Sequence, residues 1–197
     1  MREVIPVLHM RQRTPNASPV FQPGFQPPPP LRLAHWHLAP LHPDLAEVDY
    51  AAWRSCRKRL VRELEWNGWP KPDFSLADNR TDLANHYGEF ERGEAYAYSV
   101  LSPERCIGCV YIKPWERGAQ LPFWVIDEAL PIEGEVVGHV LAWLETWPVD
   151  RVVMPLRPWN VRGRACMESL GLEPCAGPTG HVGYARSVAS TGATLKT

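Results

Sequence analysis

Three arginines, Arg157, Arg162 and Arg164, stand on either side of Asn160. A guanidinium presents paired donors in one plane, so such a cluster can grip a phosphate through bidentate hydrogen bonds. Upstream, the segment Pro131-Ile-Glu-Gly134-Glu-Val136 leads into an apolar helical run. Free amides and the dipole at a helix start attract anions, but Glu133 and Glu135 place negative charge at the same point and repel a polyanion. Cys106 and Cys109 form a CxxC. On a regular strand, residues three apart face opposite sides of the sheet, so these thiols are not expected to share a metal or a disulfide. A redox pair would also be expected at a helix N-terminus. His35 and His37 share one face of a predicted strand and lack a third ligand at recognisable spacing. No metal is expected. Cys166 falls in an apolar helical pattern and reads as packing. Glu116 and Asp127 are acids flanking a predicted strand, and nothing in the pattern marks either as a base, so the catalytic residues stay unassigned.

The elements that must position these residues follow from hydrophobic period and turn residues. From Ala119 to Leu172 the chain reads strand, turn, amphipathic helix, strand, helix. That is a βαβα unit with a right-handed crossover, the parallel centre of a mixed sheet. Its first helix carries Val136, Val137, Val140, Leu141, Leu144 and Trp147 on one face and stops at Pro148. Before it, Leu31 to Pro40 alternates as a first strand. Residues 44 to 66 read as one helix with Tyr50, Trp53, Leu60 and Leu64 as its apolar stripe. Arg54, Arg57, Lys58, Arg59 and Arg62 cover much of the rest, either as a solvated face or as the lining of an entrance for anions. A loop leads to a second helix near residues 80 to 92, ended by Gly93. AYAYSVL and CIGCVYI flank the turn SPER as a hairpin, and AQLPFWVI follows as a third antiparallel strand.

The expected organisation is a proline-rich arm or linker over residues 1–30, one domain over 31–188 and a flexible tail over 189–197. In the arm, TPNASPVFQPGFQPPPP favours extended or polyproline II backbone. It suits a linker, an arm draped over its own domain, a reach to a partner subunit, or a ligand for a proline-binding module. Val4 to Leu8 gives a weak edge-strand signal. With 197 residues, 45% hydrophobic and 22% charged, the chain can bury one core. A net charge of -1 gives no field that draws nucleic acid or an anionic membrane. No apolar run approaches the roughly 20 residues of a membrane span and no signal peptide is evident, so a soluble cytoplasmic protein is expected. Five scattered cysteines do not form a disulfide framework.

The order of elements from Leu31 to about Val188 resembles the GNAT superfamily of acyl-CoA-dependent N-acetyltransferases. The sharpest local match is Asn160-Val-Arg-Gly-Arg-Ala165 with Glu168-Ser-Leu-Gly-Leu172, similar to the family's Asn, small residue and closing E-K-L-G-F phrase. The strands Gly108 to Ile112 and Phe123 to Ile126 also match. The resemblance implies an α+β fold, layered α/β/α, with a mixed and mostly antiparallel central sheet. It implies acetyl-CoA as co-substrate and transfer of an acetyl group to a primary amine on a small molecule or peptide, with a homodimer as a further option. The pantetheine arm would lie along Trp124, Val125, Ile126 and Asp127, and the pyrophosphate at Gly134 and Val136, with Asn160, Arg162 and Arg164 beside it. The chain departs from the family at three points. The Q/R-x-x-G-x-G/A loop reads PIEGEV, the tyrosine acid of many members falls at Met167, and the glutamate of others falls near Ala119 and Gln120. Those departures suit an alternative, a GNAT-fold protein that has lost the coenzyme site and binds a ligand or a protein.

Overall fold

The computed structural model describes residues 21, 24–66, 69–116 and 118–188. The predicted strand at Val4 to Leu8 and the tail over 189–197 lie outside the described residues. The strands are β1 (His37–Pro40), β2 (Tyr96–Leu101), β3 (Cys106–Trp115), β4 (Gly118–Gln120), β5 (Phe123–Val125), β6 (Arg151–Leu156), β7 (Glu173–Ala176) and β8 (Val182–Ser187). The α-helices are α1 (Ala46–Ser55), α2 (Arg57–Glu63), α3 (Leu76–Glu91), α4 (Glu133–Leu144) and α5 (Val161–Ser169). Among the described residues the sheet runs β1-β2-β3-β4-β6-β8-β7, with β5 joined to β3 off this path. Only β4 and β6 pair in parallel. The α+β class and the mixed, mostly antiparallel sheet are as the sequence implied.

Alternation along β2 and β3 assigns the two faces of the sheet. Tyr98 stands edge-on to Trp143 of α4 at 5.4 Å, while Cys109, next to Tyr98's pairing partner Val110, meets Asp49 of α1. Helices therefore cover both faces. The α4 stripe is spaced as expected, with Val136, Val137, Val140, Leu141 and Leu144 all buried. Its C-terminal end is capped by aromatic rings: Phe21 and Phe25 pack on Tyr96 and on Trp147, which joins the proline-rich segment to the core.

Several predicted elements differ in detail. The Leu31–Pro40 strand shortens to β1 because the chain reverses at Leu33–Trp36 and Leu38 N–H donates to Leu31 C=O. His35 lies outside β1. The predicted helix over 44–66 breaks at Cys56, whose φ of -114° leaves helical space; its thiol bonds back to the carbonyls of Ala52 and Trp53. The next helix starts earlier than predicted because Ser75 and Asp78 close a capping box. The third antiparallel strand divides into β4 and β5 at Leu121-Pro122. Finally, Leu101 pairs with Cys106 while Val100 pairs with Gly108. Ile107 is thus the extra residue of a β-bulge, and the bulge turns Cys106 to the same face as Cys109. The expectation that these thiols face opposite sides is corrected by that one residue.

Candidate functional site

The division at Leu121-Pro122 builds the site. β4 runs beside β6 through Ala119 and Gln120, and the last bond of the pair is Leu121 N–H to Val153 C=O at 2.9 Å. Pro122 has no N–H to continue it. β5 then pairs with β3 only, so β5 and β6 diverge and leave a wedge. Gly108 lets β3 and β5 approach: a Cβ there would meet Trp124 C=O at 2.3 Å. The start of α4 faces the wedge from one side, with α2 and the start of α5 on the others.

Asn160 explains part of the motif that sequence reading singled out. It is buried and its Oδ1 caps α5 by accepting from Gly163 N–H at 2.9 Å. A Cβ on Gly163 would sit 2.7 to 3.0 Å from the Asn160 amide. The small residue three positions on is therefore a packing requirement of the cap.

A chain of ion pairs crosses the wedge. Arg59 Nε donates to Asp127 at 2.5 Å and Arg59 NH1 to Glu63 at 3.2 Å. Arg162 NH2 donates to Glu63 at 2.8 Å, and Arg162 NH1 donates to Glu133. Arg59 NH2 also donates to the carbonyl of Val125. Burial by itself would lower the pKa of Arg162, and the bonds from Glu63 and Glu133 outweigh it and raise it. Burial by itself would raise the pKa of Glu63, and the two arginines bring it below the ordinary value. Glu63, Arg59 and Arg162, the centre of the ladder Asp127–Arg59–Glu63–Arg162–Glu133, are therefore charged at neutral pH. The space left beside it is about 10 Å³, room for about one water molecule.

The residues expected at a coenzyme site separate on this ground. Of Trp124, Val125, Ile126 and Asp127, Trp124 lines the wedge, while Val125 C=O and Asp127 meet it through Arg59; Trp124 is buried and its ring N–H points to Tyr111 Oη at 3.4 Å. Ile126 N–H is held by Ile107 C=O. Asn160 and Arg162 lie at the wedge. Gly134 sits in the first turn of α4, while Val136 is fully buried core. Arg164 turns away to Tyr184 Oη at 3.1 Å and Pro158 C=O at 3.0 Å. Arg157 is spent on the carbonyls of Leu64, Glu65 and Gly180. The three arginines thus do not converge on one anion. Of the two loop glutamates, Glu133 pairs with Arg162 and Glu135 accepts from Trp36 Nε1 at 3.0 Å. Sequence reading named Arg59 only as one of five basic residues that could line an entrance for anions, and missed Glu63; the i, i+4 spacing of the two on the basic helix was the available signal.

No side chain here declares itself a base. Met167 and Ala119 are buried and apolar, Glu116 is exposed, and Asp127 is held by Arg59. Burial pushes the Cys166 thiol up to about 11, with Glu133 adding to the effect, which keeps it protonated at neutral pH.

No protein-family model matches the chain, and no curated protein matches it in sequence. Solved structures do match. RimL, a ribosomal L7/L12 alpha-N-protein acetyltransferase in complex with coenzyme A, superposes with a TM-score of 0.66 at 16% identity, over 79% of this chain and 96% of its own. A ribosomal-protein-S5-alanine acetyltransferase from Vibrio fischeri gives 0.67 at 14%, over 83% and 98%. The microcin C7 self-immunity acetyltransferase MccE, in complex with acetyl-CoA and AMP, gives 0.67 at 11%, over 79% and 94%. The chain has the GNAT fold. Whether its residues suit acetyl-CoA is a separate matter. The backbone provides the diverging strands and a helix N-terminus, but the ladder fills the gap and Glu133 stands at the start of α4. As placed, the ladder's side chains occupy the gap between these strands among the described residues.

Proposed function

We propose that the chain is an acyl-CoA-dependent N-acyltransferase, moving an acetyl group from acetyl-CoA to a primary amine. The observation that carries the reading is the wedge between β5 and β6 at the N-terminus of α4, in a fold shared over 79% and 83% of this chain with two acetyltransferases. The names of similar structures support a protein or peptide amine as acceptor, alongside small-molecule amines. The proposed setting is the cytoplasm, with no nucleic-acid or membrane partner, as a monomer or a homodimer; no described helix is long and apolar enough to cross a membrane. Admission of the donor requires Arg162 to release Glu133 and Arg59 to release Val125 C=O. Two guanidiniums then become available to phosphate. With the ladder closed we derive no chemical step.

Titration calorimetry with acetyl-CoA and CoA tests this. Binding is expected in the parent chain and is expected to tighten in Glu133→Ala, which removes a carboxylate from the helix start and frees Arg162. No heat from either protein at millimolar ligand sinks the proposal. It would favour the second reading, a GNAT-fold ligand- or protein-binding protein, which the completed ladder supports.

A further inference from the structure

On the α1 side of the sheet the bulge at Ile107 gathers a second set of polar side chains. Cys106 and Cys109 now face Asp49 of α1, and all three residues are buried. One donor atom from each lies within 4.8 Å of the other two, and Cys109 Sγ is 3.2 Å from Asp49 Oδ1. The other carboxylate oxygen is oriented by Asn79, whose Nδ2 donates to it at 2.9 Å. Asn79 is itself fixed by Trp53 Nε1 at 3.0 Å and by Ala46 C=O at 3.0 Å. Directly across the strand pair from Cys109 stands Ser99, which is wholly buried. Its hydroxyl has no hydrogen-bond partner among the described residues. Cross-strand partners hold their side chains on one face about 5 Å apart, so this orphan hydroxyl lies on the cluster's face of the sheet, beside Cys109.

We propose that Cys106, Cys109 and Asp49, with the Ser99 hydroxyl as fourth donor, form a buried structural zinc site. Two sulfurs and two oxygens suit a four-coordinate, borderline-soft ion, whereas calcium and magnesium prefer more oxygen ligands. A tetrahedral zinc places such donors about 3.5 Å apart, so the observed spread closes by small side-chain rotations. The C-x-x-C spacing falls in the range zinc sites use. Binding displaces the two thiol protons to solvent, and zinc itself undergoes no redox change. The carboxylate held by Asn79 matches the way outer hydrogen bonds orient metal ligands. Enclosure on all sides means that the ion enters during folding. The site shares no residue with the ladder and does not depend on the activity proposed above.

The test is metal content and cobalt spectroscopy on the full-length chain, refolded with zinc or with cobalt and then passed over a chelating resin. The expected result is about one zinc per chain. The cobalt form is expected to show a near-ultraviolet sulfur-to-cobalt band with the visible bands of a tetrahedral ion. Cys106→Ser with Cys109→Ser should lose both, and Cys166→Ser with Cys175→Ser should keep both. Asp49→Asn and Ser99→Ala, either of which can be checked for folding by circular dichroism, should hold cobalt more weakly. Absence of metal from the folded parent chain overturns the site. So does a cobalt band that survives loss of Cys106 and Cys109, or a Cys106–Cys109 disulfide found by mass spectrometry after reducing purification.

Discussion

The wedge ladder and the Asp49 cluster enclose carboxylates in the same fold, and they stabilise them in opposite ways. In the ladder every carboxylate faces a guanidinium, and water reaches it at one end and at an inner arginine: the Asp127 and Arg162 side chains are 54% and 37% exposed, while Glu133 at the other end is buried. Asp49 is deeply buried, and its hydrogen-bond donors are an amide and a thiol. Burial there raises the carboxyl pKa, and the bonds from Asn79 and Cys109 offset only part of the rise. Full charge is kept where water and countercharge meet it, and neutral donors serve the interior, because an unpaired buried ion costs far more than an unpaired dipole.

Four measurements break or sharpen this contrast. The largest effect is expected from Asn79→Leu, which leaves Asp49, Trp53 Nε1 and Ala46 C=O without their partner; urea unfolding in metal-free buffer should show a loss of about 3 kcal/mol. Arg162→Met leaves Glu133 without its guanidinium and should cost less, about 2 kcal/mol, since Glu63 keeps its bonds from Arg59 and Arg62. A larger loss from Arg162→Met than from Asn79→Leu would invert the comparison. Glu63 gives a pH signature. Its folded pKa is depressed, so its contribution is present above the unfolded value of about 4.3 and is lost as pH falls further through the folded value. Glu63→Gln should flatten that part of the acid-stability curve, and an unchanged curve would remove Glu63 from the ionised ladder. Asp127→Asn, at the exposed end, should change stability by less than about 0.5 kcal/mol.

Much of the scaffold was legible in local pattern. The α4 stripe and the β2–β3 hairpin announce themselves through residues a few positions apart. The rest depended on partners far along the chain. The wedge needed Leu121-Pro122 to sit where β4 leaves β6, and the proline alone does not say which neighbour is lost. Arg59 reaches Asp127 and Arg162 reaches Glu63 across 68 and 99 positions, distances over which periodicity carries no information. The Cys106–Cys109 geometry turned on one unpaired residue, Ile107, which a count of alternation cannot detect. So Trp124, Asn160 and Arg162, which lie at the wedge, could be named from sequence, but the ion pairs that close it could not.

The two strands that end the described sheet, β1 and β7, are each four residues long, and each carries a proline, Pro40 in one and Pro174 in the other. A strand that lacks a donor and stops after four residues is a poor template for another chain. Fibril-like growth through these margins is thereby disfavoured, and if two copies associate, the geometry directs them to meet through helix surfaces rather than by continuing the sheet.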